Sequence, residues 1–146
     1  MKSRHLLLTL LLLFGLSGVI HAETFDQTLE KAQRGDAGAQ FYLGMMYELG
    51  EGVPENDMEA VKWYRMAAKQ GFSMAQNNLA DIYGKGGGVP VNKIKSYLWY
   101  SLAKTNGYRP AKQSVEIMKN RMTHEQIAEA QALAARCFES NYKDCD

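Results

Sequence analysis

The sequence repeats itself every 36 residues. Residues 39–71 align with 75–107 without a gap, and 13 of the 33 paired positions are identical, where ordinary residue frequencies would give about two. The identities include Ala39/Ala75, Leu43/Leu79, Tyr47/Tyr83, Gly52/Gly88, Pro54/Pro90, Asn56/Asn92, Trp63/Trp99, Tyr64/Tyr100 and Gly71/Gly107. A fixed period of this length marks a solenoid, in which each unit buries its apolar face against the next.

Within each copy the apolar residues recur three and four positions apart, as in Ala39, Leu43, Met46, Tyr47 and again in Ala60, Trp63, Tyr64, Ala67. That is the spacing of one helix face, so each copy is a helix pair. Between the helices lies G-E-G-V-P-E-N in the first copy and G-G-G-V-P-V-N in the second. The glycines permit backbone angles other residues avoid, and the proline cannot continue a helix. Asn56 and Asn92 stand where N-caps belong. Glu59 lies three residues after Asn56 and Lys95 three after Asn92, which predicts a firmer start for the helix at Asp57 than for the one at Lys93. Helices are expected over 25–34, 37–49, 57–70, 73–85, 93–106, 109–121 and 124–138, with the flanking copies serving as half-repeat caps. The fold class is all-α, an α-solenoid of antiparallel helix pairs.

The pattern A-x-x-x-L-G-x-x-Y-x-x-G-x-G-V-P, followed by W-Y-x-x-A-A-x-x-G, resembles the Sel-one-like repeat (SLR), a relative of the tetratricopeptide repeat, over about residues 24–139. The second copy departs from it with Ala80 in place of Gly44 and Lys104 in place of Ala68, and both copies carry Asn where the family usually has Asp at the cap. The resemblance implies a protein-binding adaptor that assembles membrane-associated or envelope complexes.

The first 22 residues differ in composition. Lys2 and Arg4 precede an uncharged, Leu-rich run from Leu6 to Ile20, and the small residues Ser17, Gly18 and Ala22 stand where a signal peptidase would cut. This is the order of a signal peptide, with cleavage expected after Ala22; the run is short for a membrane span, and an uncleaved anchor is the alternative. Residues 23–146 then form the repeat domain, with a C-terminal capping helix and a bridged tail, in the periplasm or outside the cell. Membrane contact is expected only through the signal peptide before cleavage.

The chain from residue 23 keeps fifteen basic and sixteen acidic residues, a net charge of −1, with the cations spread singly. No nucleic-acid partner is expected from that distribution. Cys137 and Cys145 are the only cysteines. In an oxidising compartment they read as one disulfide, with two unpaired thiols as the alternative. Their Cys-x7-Cys spacing also resembles the bridges of cysteine-rich secreted relatives that have been linked to penicillin binding.

Catalytic chemistry finds little support. His124 is the one histidine after residue 22 and sits at the start of the last predicted helix, so no multi-histidine metal site can form. Ser101-Leu102-Ala103-Lys104 has the S-x-x-K spacing of a serine activated by lysine, yet the companion motifs are missing and the first copy has Arg65 in place of the serine. A cell-wall-active or penicillin-binding hydrolase is therefore the rival reading. No catalytic residue, cofactor or metal is expected. What remains is a surface for a protein or peptide, and the positions that differ between copies nominate Phe41, Met45, Asn77 and Asp81 as its binding residues.

Overall fold

The computed structural model describes residues 23–145, so the expected signal peptide lies outside the described residues. Among these residues there are seven helices: α1 (Phe25–Gln33), α2 (Ala37–Leu49), α3 (Asp57–Ala68), α4 (Ser73–Lys85), α5 (Lys93–Thr105), α6 (Ala111–Lys119) and α7 (His124–Glu139). Each of the first five packs on the next in the chain, and α7 lies against α5. None is long and apolar enough to cross a membrane. The α-solenoid expected from the repeat is the architecture observed.

The helix starts follow from single side chains. Thr24 and Thr123 each close a full capping box, with Gln27 and Gln126 reaching back. Asp36 accepts from the amide of Ala39, while Asn56 and Asn92 accept from those of Glu59 and Lys95. The expected firmer start at Asp57 is not found, because the two asparagine caps are alike. The backbone amide that Glu59 would have reached is already taken: Asn56 N donates to Tyr47 O at 2.8 Å, as Asn92 N does to Tyr83 O at 2.7 Å. Glu59 turns instead to Lys62, 3.3 Å away.

Two glycines show why the motif has no side chain at particular places. Gly88 has φ +68°, and a Cβ there would come within 2.8 Å of the Asp57 carbonyl carbon, so the second loop rests directly on the start of α3. A Cβ on Gly44 would lie 2.7 Å from the ring of Tyr64. Tyr64 is fully buried and therefore cannot swing away.

The core runs through the stack. One cluster extends from Phe41 through Tyr64, Leu79, Leu98 and Trp99 to Val115, Ala130 and Cys137. A smaller one, of Ala32, Ala39, Leu43 and Trp63, joins α1 to the first copy. At each junction a buried glutamine serves the carbonyl that ends the preceding helix: Gln40 Nε2 donates to Ala32 O and Gln76 Nε2 to Ala68 O, both at 3.1 Å. Their own oxygens accept from Gln70 and from Asn106, at 2.8 and 2.9 Å. The nitrogen and the oxygen of each amide both have a partner, which is what burial requires of polar groups.

The two cysteines are joined, and both are buried. Cys137 stands where the earlier helices carry Ala67 and Ala103. Tyr142 N donates to Cys137 O as Phe72 N does to Ala67 O and Tyr108 N to Ala103 O. The bridge holds Tyr142 against two junctions at once: its hydroxyl donates to Asn106 Oδ1 at 2.9 Å, and its ring covers Gly71.

Candidate binding face

The first helices of the pairs, α2, α4 and α6, share a pattern of outward positions 36 residues apart. On α2 these are Tyr42, Met45 and Leu49; on α4, Asn78, Asp81 and Lys85; on α6 and its end, Ser114, Ile117 and Arg121. Tyr42, Leu49 and Ile117 are exposed at 56%, 58% and 44%, large for apolar side chains.

Three recesses follow this stripe. The first, about 340 Å³, lies between α1 and α2 and is lined by Glu23, Thr28, Tyr42, Met45, Met46 and Glu51. A second, about 230 Å³, opens between α2, α3 and α4 at Glu48, Asp57, Asp81 and Lys85. The third, about 260 Å³, lies between α4, α5 and α6 and includes Asp81, Tyr100, Ser114, Ile117 and Arg121. Asp81 and Lys85 belong to both of the last two.

A tyrosine from each second helix ties the floor together. Tyr64 on α3 donates its hydroxyl to Glu48 of α2, and Tyr100 on α5 donates to Asp81 of α4. Each phenol oxygen also meets a polar side chain on the next first helix, Asn78 for Tyr64 and Ser114 for Tyr100. Burial, and then the neighbouring carboxylate, push both phenols well above the ordinary tyrosine value. They stay neutral donors across the working range of pH and hold the carboxylates in place.

The residues nominated from the sequence fall unequally on this face. Asp81 is central, accepting from Tyr100, lying 3.6 Å from Lys85 Nζ and receiving Asn77 Nδ2 at 3.4 Å. Met45 lines the first recess. Asn77 supports Asp81 from the preceding turn and lines none of the three recesses. Phe41 is corrected by its burial: it is 7% exposed, with its ring 5.3 Å from Phe72 and 5.8 Å from Tyr64. Its difference from Asn77 reflects packing, not ligand choice. Tyr42, Leu49, Lys85, Ile117 and Arg121 were not among the nominated positions. Laying the three first helices over one another at the repeat period would have found the 42/78/114 and 49/85/121 positions.

Ser101 and Lys104 lie on α5 and line none of the three recesses. His124 opens α7 in an exposed position. Among the described residues no group of histidine, cysteine and carboxylate side chains is arranged to hold a metal ion.

Comparison with known proteins agrees with this architecture. Residues 37–72 and 73–108 each match the model of the Sel1 repeat. A solved protective antigen of uropathogenic Escherichia coli displaying an SLR fold superposes with a TM-score of 0.77 over 81% of this chain, at 29% identity. A Sel1 repeat protein from Oxalobacter formigenes gives 0.62 over 63% of the chain, at 35% identity. An exopolysaccharide production negative regulator of Rhizobium meliloti is 48% identical over 40 residues, 27% of this chain. The chain spans only 26% and 27% of the two solved proteins and 15% of the regulator.

Proposed function

We propose that this chain, a member of the Sel1-like repeat family, is an exported, non-catalytic scaffold of the bacterial cell envelope that holds a protein or peptide partner along α2, α4 and α6. Sel1 repeats are in general protein-interaction scaffolds. One observation carries the reading to this face: core positions such as Leu43/Leu79, Trp63/Trp99 and Tyr64/Tyr100 repeat from copy to copy, whereas the outward stripe changes from Tyr42-Met45-Leu49 to Asn78-Asp81-Lys85 to Ser114-Ile117-Arg121. A surface that lies outside the shared core positions, and is fixed from below by Tyr64 and Tyr100, is where specificity can be written. The partial likeness to a regulator suits a role in assembling others. Export is supported by the composition of residues 1–22 and by the cysteine pair.

A photo-reactive side chain placed at Tyr42 or at Ile117, in cells of the native host, tests the reading. Adducts with a discrete envelope protein are expected from these two positions and not from Met58, which is 71% exposed but lies at the start of α3. The mature chain should be recovered outside the cytoplasm with Glu23 at its N-terminus. Equal labelling from all three positions, or a full-length chain confined to the cytoplasm, would overturn it.

A further inference from the structure

We propose that the first two recesses together take one extended partner segment, in which a large apolar side chain stands next to a lysine or arginine. The inference rests on the scaffold reading and names the chemistry of its partner.

The apolar half comes from the first recess. Tyr42, Met45 and Met46 line a space of about 340 Å³, room for a leucine or phenylalanine side chain, and Leu49 extends the apolar surface one turn further. Thioethers adapt to the shape of what enters, and a tyrosine offers a rigid ring at small entropic cost. An exposed apolar recess of this kind is where an anchor residue docks.

The cationic half comes from charge. Between Arg34 and Lys62 the chain has no lysine or arginine and six carboxylates: Asp36, Glu48, Glu51, Glu55, Asp57 and Glu59. The same stretch of the second copy, between Gln70 and Leu98, has Asp81 as its one acidic residue against Lys85, Lys93 and Lys95. The repeat has therefore reversed the sign of its loop edge while keeping its fold. Three of the first copy's carboxylates, Glu48, Glu51 and Asp57, stand around the apolar space and its neighbour. Glu23 and Glu51 border the first recess; Glu48, Asp57 and Asp81 border the second, with Lys85 as the cation there. Glu48 lies one turn beyond Met45 along α2. A carboxylate oxygen that accepts from Tyr64 keeps capacity for a further donor. An arginine or lysine beside the anchored apolar residue would thus meet Glu48, Glu51 and Asp57, and charges of this sign steer a basic segment to the site from a distance. Further along, Lys85 and Arg121 disfavour more positive charge, which fixes the direction in which the segment lies.

Selection of short random peptides displayed on phage against the purified protein tests this without presuming a sequence. Enriched peptides should carry net positive charge and at least one Leu, Ile, Phe or Met. Measured by fluorescence anisotropy, their affinity should fall about tenfold or more in Tyr42→Ala and in Glu51→Lys, both exposed positions whose change leaves the circular dichroism unaltered, and should weaken as salt rises. Enrichment of neutral or acidic peptides, or affinity unchanged in both variants, would overturn the cationic segment while leaving the scaffold intact. Failure to enrich any peptide, together with no face-specific adduct in cells, would overturn both.

Discussion

Gly44 and Tyr64 form the tightest residue-level dependence in the molecule. A methyl group at 44 would need the Tyr64 ring to move, and that ring is enclosed on all sides. Gly44→Ala should therefore destabilise the fold by about 1–3 kcal/mol, the usual cost of overpacking, in spite of alanine's better helix propensity. The second copy already carries Ala80 at this position, and its tyrosine reaches Asp81, not residue 84. Ala80→Gly should cost only about 1 kcal/mol, the propensity difference. Urea denaturation of the two variants would separate these outcomes, and equal losses would refute the account. The same tyrosines make a pH prediction. Both folded phenols have raised pKa values, so the folded state keeps its protons where the unfolded state has begun to lose them. Their stabilisation is complete below the unfolded value of about 10 and is lost as pH climbs through the folded values. In a spectrophotometric titration Tyr64 and Tyr100 should lag and ionise only as the chain unfolds. Tyr64→Phe and Tyr100→Phe should each remove one from the lagging step.

At the scale of elements, the C-terminal helix and tail act as a latch. The turn that ends α7 copies those that end α3 and α5, with Cys137 in the place of Ala67 and Ala103, so Cys137→Ala keeps the buried position filled. What the Cys137→Ala, Cys145→Ala double variant loses is the tether that keeps Tyr142 over Gly71 and bonded to Asn106. A loss of roughly 2–3 kcal/mol is expected from a loop this small. Hydrogen exchange should quicken in residues 138–145 and at the two turns Tyr142 covers, with α2 and α3 unaffected; acceleration spread evenly along the chain would contradict a local latch. These elements were largely legible in advance, because a repeat supplies each helix with a second copy, and loops with glycine and proline mark the boundaries. The binding face was legible only in part. Residues that differ between copies include those that face a partner and those that exchange packing, and Phe41 against Phe72 is of the second kind. A helix turns about 100° per residue, so taking position 41 in place of 42 moves the inferred face from the surface into the core. The neighbouring ring that decides the matter lies 31 residues away in sequence, beyond any local pattern.

For the molecule as a whole, stability in a solenoid is a sum over units and their junctions, so the two ends need not open together. The N-terminal junction rests on the smaller cluster of Ala32, Ala39, Leu43 and Trp63, whereas Trp99 sits in the large cluster that continues to the disulfide. Trp63 and Trp99 are the only tryptophans and occupy the same position of successive copies. Each can therefore report on its own unit once the other is replaced. In Trp99→Phe the remaining Trp63 should lose its buried emission at lower urea than Trp99 does in Trp63→Phe. Since each substitution weakens its own unit, this order must survive correction for the stability of each variant by circular dichroism. Adding Gly44→Ala should widen the gap, because it strains the first copy alone, and removing the disulfide should narrow it by weakening the far end. Coincident midpoints in all of these backgrounds would mean that the junction glutamines and the core running through them couple the copies into one cooperative unit, and the ends would then have no separate stability to speak of.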